Sequence, residues 1–500
     1  MRQPPSTTND SSPDLITGAD PARALDALFI NAPLRDYSLR PRTNDYTLPV
    51  IGMAYIATYA RERGFNVGIL DAEAHGLGVQ QTIDAINAAR PRWAGMNLLA
   101  PTYELSARIA AGLDPDIALM VGGHHAKAMP TRILADPRMG RLRALIIGEA
   151  ETRVAALLDD TNRRTRLPGV MWRDRLLGTN AVGVSKPEDS EAWLTPDINA
   201  RPFVNRAYLP QDPYRTSAGR WKANMVGARG CPYECTFCGA AASFNPDVKI
   251  RTRAPDNIIA EMDELHGRHQ VTAFRFIDDL FLGAHRIIAD MMRAFTHHRV
   301  GERYVWDATG RINVLARESS TALDTLMANG LTEVALGIES GSDRVLALMD
   351  KRITAEMTLT VARRLMERGI NVKGYFLLGF PGEQPEDLAA TVRLIHDLWE
   401  LEDRLPGSGG FRASAFEFRP YPGTVAWAQL IAAGHSPEEL LNYSDVDLTE
   451  HGANESMRAR DEFNFSVGLP FSGTDLPELR RTLSAITREQ HTRTSQGVSA

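Results

Sequence analysis

Cysteine is the scarcest residue in this chain: 500 residues contain three. Three thiols cannot build a disulfide framework, and a chain so poor in them fits the reducing cytoplasm better than an oxidising compartment. Lysine is almost as rare, at six positions among 56 basic residues; the arginine bias is assigned to a GC-rich genome, not to a binding function. No apolar run approaches the ~18 residues a membrane span needs. Residues 1–20 are rich in Ser, Thr, Pro and Asp and lack the apolar core of a signal peptide, so they read as a disordered tail. Excess charge of one sign is missing too. A net charge of −6 and a pI near 6.1 give no reason to expect nucleic acid or an anionic membrane as partner. What remains is the composition of a soluble globular protein, 43% apolar and 24% charged, long enough for two or three domains.

The few cysteines stand together. Cys231, Cys235 and Cys238 lie in Ala228-Arg229-Gly230-Cys231-Pro232-Tyr233-Glu234-Cys235-Thr236-Phe237-Cys238-Gly239. Three thiolates at C-x3-C-x2-C spacing can bind three irons of a 4Fe–4S cube and leave the fourth iron without a protein ligand. A zinc knuckle and three unrelated cysteines are the alternatives. Structural zinc takes four closed ligands, and the nearest downstream histidine is His266.

On either side of a Pro-rich middle, apolar runs alternate with amphipathic stretches. In the first half, strands are expected at 27–32, 66–71, 93–99, 117–122 and 144–148, with helices at 51–63, 79–89 and 103–113. This alternation predicts βαβ units in a parallel, doubly wound sheet, whose ligands bind outside the carboxyl ends of the strands. The turns there are Asp71 onwards, Asn97 to Thr102, Gly122-Gly123-His124-His125 and Gly148-Glu149-Ala150-Glu151. Residues 161–220 read as a connector with a hairpin at 169–183 and prolines at 187, 196, 202, 210 and 213. Its Arg201, Arg206, Arg215 and Arg220 are either a patch for an anionic substrate group or a solvated surface.

In the second half, strands are expected at 224–228, 273–278, 304–308, 333–338, 372–379 and 413–418, with helices at 257–266, 286–295, 322–327, 354–368 and 385–399. Six βα units are too few for a closed eight-fold barrel, so an open partial barrel follows, with its site at the C-terminal strand ends. The adjacent carboxylates Asp278 and Asp279 fit either a cationic amine or a metal. Arg311 offers a guanidinium fork suited to a carboxylate. Beyond residue 427, helices are expected at 436–443 and 476–488 around a polar stretch at 451–461.

The cysteine loop, with Phe237 between its last two thiols, resembles the signature of the radical S-adenosylmethionine (radical SAM) enzymes. That resemblance implies that SAM chelates the open iron, that Phe237 lies against the adenine, and that Phe276-Ile277-Asp278-Asp279 holds the SAM amino group. It also implies that Gly337-Ile338-Glu339-Ser340-Gly341 meets the ribose hydroxyls, and that Gly374-x-Phe376-x-x-Gly379-Phe380-Pro381-Gly382-Glu383 forms the adenine-contacting strand. Tyr421-Pro422-Gly423-Thr424 is similar to the turn of the cobalamin-associated members. The first half resembles their cobalamin-binding domain. By that resemblance the Gly123-His124 loop approaches the corrin, and the Thr102 and Glu149 turns sit near the nucleotide tail. Other cobalamin proteins carry D-x-H-x-x-G; here the segment is Asp71-Ala72-Glu73-Ala74-His75-Gly76, with Glu73 where the cobalt-ligating histidine would stand. This agrees with the radical SAM subgroup, which the resemblance implies lacks the lower histidine and binds cobalamin with its own base detached; His75, His124 and His125 are the candidate cobalt ligands.

The expected architecture is α/β: a tail (1–24), a Rossmann-like, flavodoxin-like cobalamin-binding domain (25–160), a linker (161–220), a partial (β/α)6 TIM-type radical SAM barrel (221–426) and a small C-terminal helical cap (427–500). The expected activity is C-methylation of an unactivated carbon of a small-molecule substrate, through a 5′-deoxyadenosyl radical and methylcobalamin, with two SAM consumed per turnover. A flavodoxin or ferredoxin would supply electrons. A non-methylating rearrangement, cyclisation or oxidation is the alternative among enzymes, and a corrinoid carrier or sensor the alternative outside them.

Overall fold

The computed structural model describes residues 15–39, 48–174, 181–182, 197–240, 250–405, 407, 409–445 and 465–497. The chain divides into two compact units, Met1–Trp193 with Pro202–Pro210, and Leu194–Arg201 with Gln211–Ala500.

The first unit is built on β1 (Ile16–Thr17), β2 (Ala27–Asn31), β3 (Val67–Asp71), β4 (Trp93–Asn97), β5 (Ala118–Gly122), β6 (Leu142–Ile146) and β7 (Val170–Met171), in the spatial order β1-β3-β2-β4-β5-β6-β7. The inner five are parallel and the two edge strands antiparallel. Runs such as Ala27-Leu28-Phe29-Ile30 are buried along their whole length, as strands covered on both faces by crossover helices must be. The helices Ile51–Arg61, Val79–Ala89, Tyr103–Ala111 and Glu151–Asp159 connect and cover them. The order is flavodoxin-like and reverses direction between β2 and β4, which sets the ligand face at the carboxyl ends there.

Two expectations change in this unit. Ile16–Thr17, inside the expected tail, pairs with Leu70 and Ile69. The polar segment after it is ordered because the buried Asn66 amide donates to the carbonyls of Asp20, Arg23 and Ala24 and its Oδ1 accepts from Asp20 N–H. Part of the expected linker also belongs here. Tyr208 is buried, its carbonyl accepts from Thr17 Oγ1 at 3.0 Å, and Asn205 N–H donates to Thr58 Oγ1. Of the four linker arginines, Arg206 is buried in this unit, whereas Arg201, Arg215 and Arg220 fall in the other. The expected hairpin survives as β8 (Arg173–Asp174) paired with β9 (Ala181–Val182); its turn, and prolines 187 and 196, lie outside the described residues.

The second unit has β10 (Tyr214–Arg215), β11 (Trp221–Met225), β14 (Ala273–Phe276), β15 (Val305–Gly310), β16 (Leu331–Glu339), β17 (Asn371–Leu378) and β18 (Phe411–Glu417) as consecutive neighbours. β10 is antiparallel and the six that follow are parallel, an open partial barrel. The first of the six comes earlier than expected, because the chain leaves it at Met225 and starts a separate ladder, β12 (Ala228–Arg229) with β13 (Arg251–Thr252), which closes the base of the cysteine loop.

At the far edge, the helix Leu476–Gly497 runs along β18, longer than the expected 476–488. Leu479, Leu483 and Ile486, at helical spacing, are buried in the barrel core. Gln490 Oε1 accepts from the edge amide of Ala413 at 2.7 Å and from Trp399 Nε1 at 3.1 Å. The helix expected at 436–443 contracts to Pro437–Leu440, and Ser444–Asp445 (β19) then pairs with Phe465–Ser466 (β20). The polar stretch 451–461 lies outside the described residues.

Candidate functional site

Every candidate in the second unit sits at a carboxyl strand end, and the side chains there hold the cysteine loop as well as line it. Asp278, which follows β14, is buried, and its two oxygens accept from Gly227 N–H at 2.9 and 3.1 Å. Burial pushes its pKa up to about 8. Its carboxyl thus holds the backbone entering the loop, a contact the sequence did not anticipate. Asp279 beside it is exposed, and its charge reaches Cys231 and Cys238. It is the carboxylate of the pair free to meet a cationic amine. Arg253, which sequence reasoning missed, braces the same base through Val226 O at 2.9 Å and pairs with Glu261.

The loop is pinned above by Thr236 N–H to Met349 O at 3.1 Å and by Ala426 N–H to Thr236 O at 2.9 Å. Cys235 is buried, Cys231 and Cys238 are half-buried, and none is in a disulfide. Burial raises the Cys231 thiol above its ordinary value and pushes Cys238 up to about 12. Among the described residues no three His, Cys, Asp or Glu side chains converge as the ligands of a single ion would; three thiolates, each on its own iron of a cube, need no such convergence.

Arg311, expected to hold a carboxylate, has its fork engaged otherwise. Its Nη1–H donates to Cys235 Sγ at 3.4 Å, its Nη2–H to Lys351 O at 2.7 Å, and its plane lies 3.6 Å from the Tyr233 ring centroid. Its Nε is buried and has no hydrogen-bond partner among the described residues. Glu339, at the end of β16, is a non-glycine residue at φ +65, a conformation that costs about 1–3 kcal/mol and collects at ligand sites. Its carboxylate accepts from Lys351 Nζ at 2.9 Å, both groups being buried. The same Nζ lies 5.9 Å from the Phe237 ring centroid. Lys351 was not singled out from the sequence, although being one of six lysines was a usable signal.

Ser340 is fully buried, its hydroxyl 3.0 Å from Thr391 Oγ1 and accepting from Ser342 N–H within the turn. Gly379 sits at φ +79, and a Cβ there would stand 2.7 Å from Leu479 Cδ2 of the C-terminal helix. Its N–H donates to Glu383 Oε1, whose partner oxygen is sealed from solvent without a hydrogen bond. Burial raises that carboxyl to about 7.

The strand ends of the first unit are plainer. Asp71 accepts from Asn31 Nδ2 at 2.8 Å and Ala74 N–H at 3.0 Å. Glu73 is buried and accepts from Leu34 N–H and Tyr37 OH, each at 2.7 Å. It pins the loop after β2 from the position that the D-x-H-x-x-G pattern gives to histidine. Asn97, His75, His124 and Gly148 are exposed, and Thr102 is buried. Gly122 leads into Gly123, at φ +94, where a Cβ would fall 2.0 Å from Asn97 Oδ1. His125 is a core histidine, its ring 4.8 Å from Tyr103 and its Nδ1 buried without a hydrogen-bond partner among the described residues. Burial holds it down to about 4. The Glu149 carbonyl is bound by Arg153, a second residue that the sequence did not flag.

Residues 225–395 match the family model of the Radical SAM superfamily, and residues 42–158 match the B12 binding domain. The chain belongs to the cobalamin-binding radical SAM enzymes. An uncharacterised methyltransferase of Pyrococcus horikoshii is 25% identical to it over 77% of this chain and 79% of its own. An anaerobic magnesium-protoporphyrin IX monomethyl ester cyclase of Rubrivivax gelatinosus is 23% identical over 75% of this chain and 68% of its own. The fold is shared with TsrM, a radical SAM methyltransferase from Kitasatospora setae solved with tryptophan and a SAM analogue (TM-score 0.61, 17% identity, 82% of this chain and 76% of that one). A 4Fe–4S cluster, SAM and cobalamin are the cofactors of this radical SAM chain. The donor set fits the cluster: all three thiols are buried or half-buried, burial raises Cys231 and Cys238 so that they ionise readily only against a strong cation, and a guanidinium already stands on Cys235.

Proposed function

We propose that the chain is a C-methyltransferase that acts on an unactivated carbon of a small-molecule substrate. The reading is supported most by one feature of the second unit: Cys231, Cys235, Cys238, the exposed Asp279 and the strained, Lys351-paired Glu339 stand past β11, past β14 and at the end of β16, on the carboxyl side of one sheet. When bound, the cluster with SAM supplies radical initiation, and cobalamin supplies a transferable methyl group. The residues of the chain do the binding and orienting. The three thiolates would hold the cluster, Asp279 the SAM amino group, Phe237 the adenine face and Glu339 the ribose hydroxyls. Asn97, Thr102, Gly122, Gly123, His124, Gly148 and Glu149 would meet the corrin and its nucleotide tail, mostly through backbone and small side chains. A flavodoxin or ferredoxin is the proposed electron donor. No described helix is long and apolar enough to cross a membrane.

A relative that is a cyclase keeps one second reading in view, the same initiation without methyl transfer. Candidate substrates are incubated with the reconstituted protein and methyl-deuterated SAM. Labelled product with both 5′-deoxyadenosine and S-adenosylhomocysteine is the expected outcome. 5′-Deoxyadenosine alone would transfer the case to the cyclase-like reading, and neither product, with cobalamin still bound, would leave a corrinoid carrier.

A further inference from the structure

Arg311 is bound on three sides by its own protein before any ligand is considered. Tyr233, inside the cysteine loop, covers the guanidinium face at 3.6 Å, the Lys351 carbonyl holds Nη2 at 2.7 Å, and Nη1 points its hydrogen at Cys235 Sγ at 3.4 Å. Both Arg311 and Cys235 are buried, so the charge acts through little intervening water and is weakly screened. No carboxylate forms a salt bridge with this guanidinium among the described residues, so its positive charge is not cancelled within the pocket.

We infer that Arg311 is the residue that sets the reduction potential of the cluster, by an N–H···S bond and an uncompensated charge at the Cys235 thiolate, and that it is not the ligand of the SAM carboxylate. The inference rests on the family reading above. Cluster potentials respond to net charge, hydrogen bonds to sulfur and solvent exposure, and Arg311 contributes to all three. Reduction adds one electron to the cluster, supplied by a low-potential one-electron donor, with no bond made or broken at the arginine. A fixed cation beside the sulfur stabilises the more negative, reduced state. The hydrogen bond is strengthened by the anionic acceptor, and the Tyr233 stack keeps it aimed.

The test is a potentiometric titration of the anaerobically reconstituted protein, followed by electron paramagnetic resonance of the reduced cluster, with dithionite as reductant and no SAM present. Arg311→Gln should lower the reduced-to-oxidised ratio at a fixed potential at least about tenfold, a 59 mV fall for one electron. An unchanged potential overturns the inference. If the Gln variant takes up no iron and sulfide, Arg311→Lys decides: it keeps a charge but not the fork that spans Cys235 and Lys351 O. A lower potential then supports the inference and an equal one overturns it. SAM binding is read in parallel from the change in the cluster signal. An affinity loss of tenfold or more with the potential unchanged would return Arg311 to the carboxylate role. A wild-type chain that holds no 4Fe–4S cluster would sink the family reading itself, an outcome separate from all of these.

Discussion

The two units present their ligand faces in opposite styles. Both are parallel sheets whose carboxyl ends carry the candidate residues. In the first unit the acidic residues turn back into the protein, Asp71 to Asn31 and Ala74, Glu73 to Leu34 and Tyr37, and leave glycines and exposed polar groups at the rim. In the second unit the strand ends hold buried charges in contact, Lys351 with Glu339 and Arg311 with Cys235. The difference follows the cofactors. On the proposed contacts a broad corrin would be met by flat, small-residue backbone, whereas SAM and a cluster, compact and charged, would need fixed dipoles and ions in a desolvated pocket.

The contrast can be broken most forcefully at the thiols. Cys235→Ala should abolish the cluster chromophore and all SAM cleavage while cobalamin binding, read by its visible spectrum, survives; joint loss of both would mean that the units do not bind separately. Lys351→Met leaves Glu339 buried without its partner and should destabilise the second unit by about 3–5 kcal/mol in urea unfolding, with weaker SAM binding as the companion readout. A pH test belongs to the first unit. His125 is held down to about 4, against an ordinary 6.5, so its neutral form stabilises the fold above pH ~6.5. That stability is lost as pH falls toward 4, by up to roughly 3 kcal/mol. His125→Phe should flatten the drop in denaturation between pH 7 and 4.5, and a profile identical to wild type would assign the acid sensitivity elsewhere.

Smaller effects sharpen the picture. Gly123→Ala forces a Cβ onto Asn97 at a positive φ and should cost about 1–3 kcal/mol, together with measurable loss of bound cobalamin. Glu73→Gln removes one of two acceptors and should cost about 1 kcal/mol without any shift in the cob(II)alamin resonance spectrum. A changed spectrum would make Glu73 a cobalt ligand after all.

Strand positions were legible because a parallel strand covered on both faces is a continuous apolar run, and those runs are long and bounded by glycines. The direction of a side chain just past a strand was not. Asp278 and Asp279 are identical in type and adjacent, yet one binds Gly227 N–H and the other faces out, a choice made by a backbone 51 residues away. Arg153, Arg253 and Lys351 escaped notice for a related reason. Each acts on carbonyls, amides or carboxylates brought near only by the folded turn, and no spacing in the sequence encodes that. Residues 15–24 read as a tail because their own composition is polar; the order comes from the amide of Asn66, which local composition cannot anticipate.

The bond from Gln490 to the Ala413 amide also has a consequence in time. The two residues are 77 apart in sequence, which at roughly 5–20 residues per second of synthesis is about 4–15 s of translation. Until residue 490 has left the ribosome, the last barrel strand has an unfinished edge, a template for pairing with a neighbouring nascent chain. The Gly379 end of the barrel likewise stays uncovered until Leu479, 100 residues later, has been made.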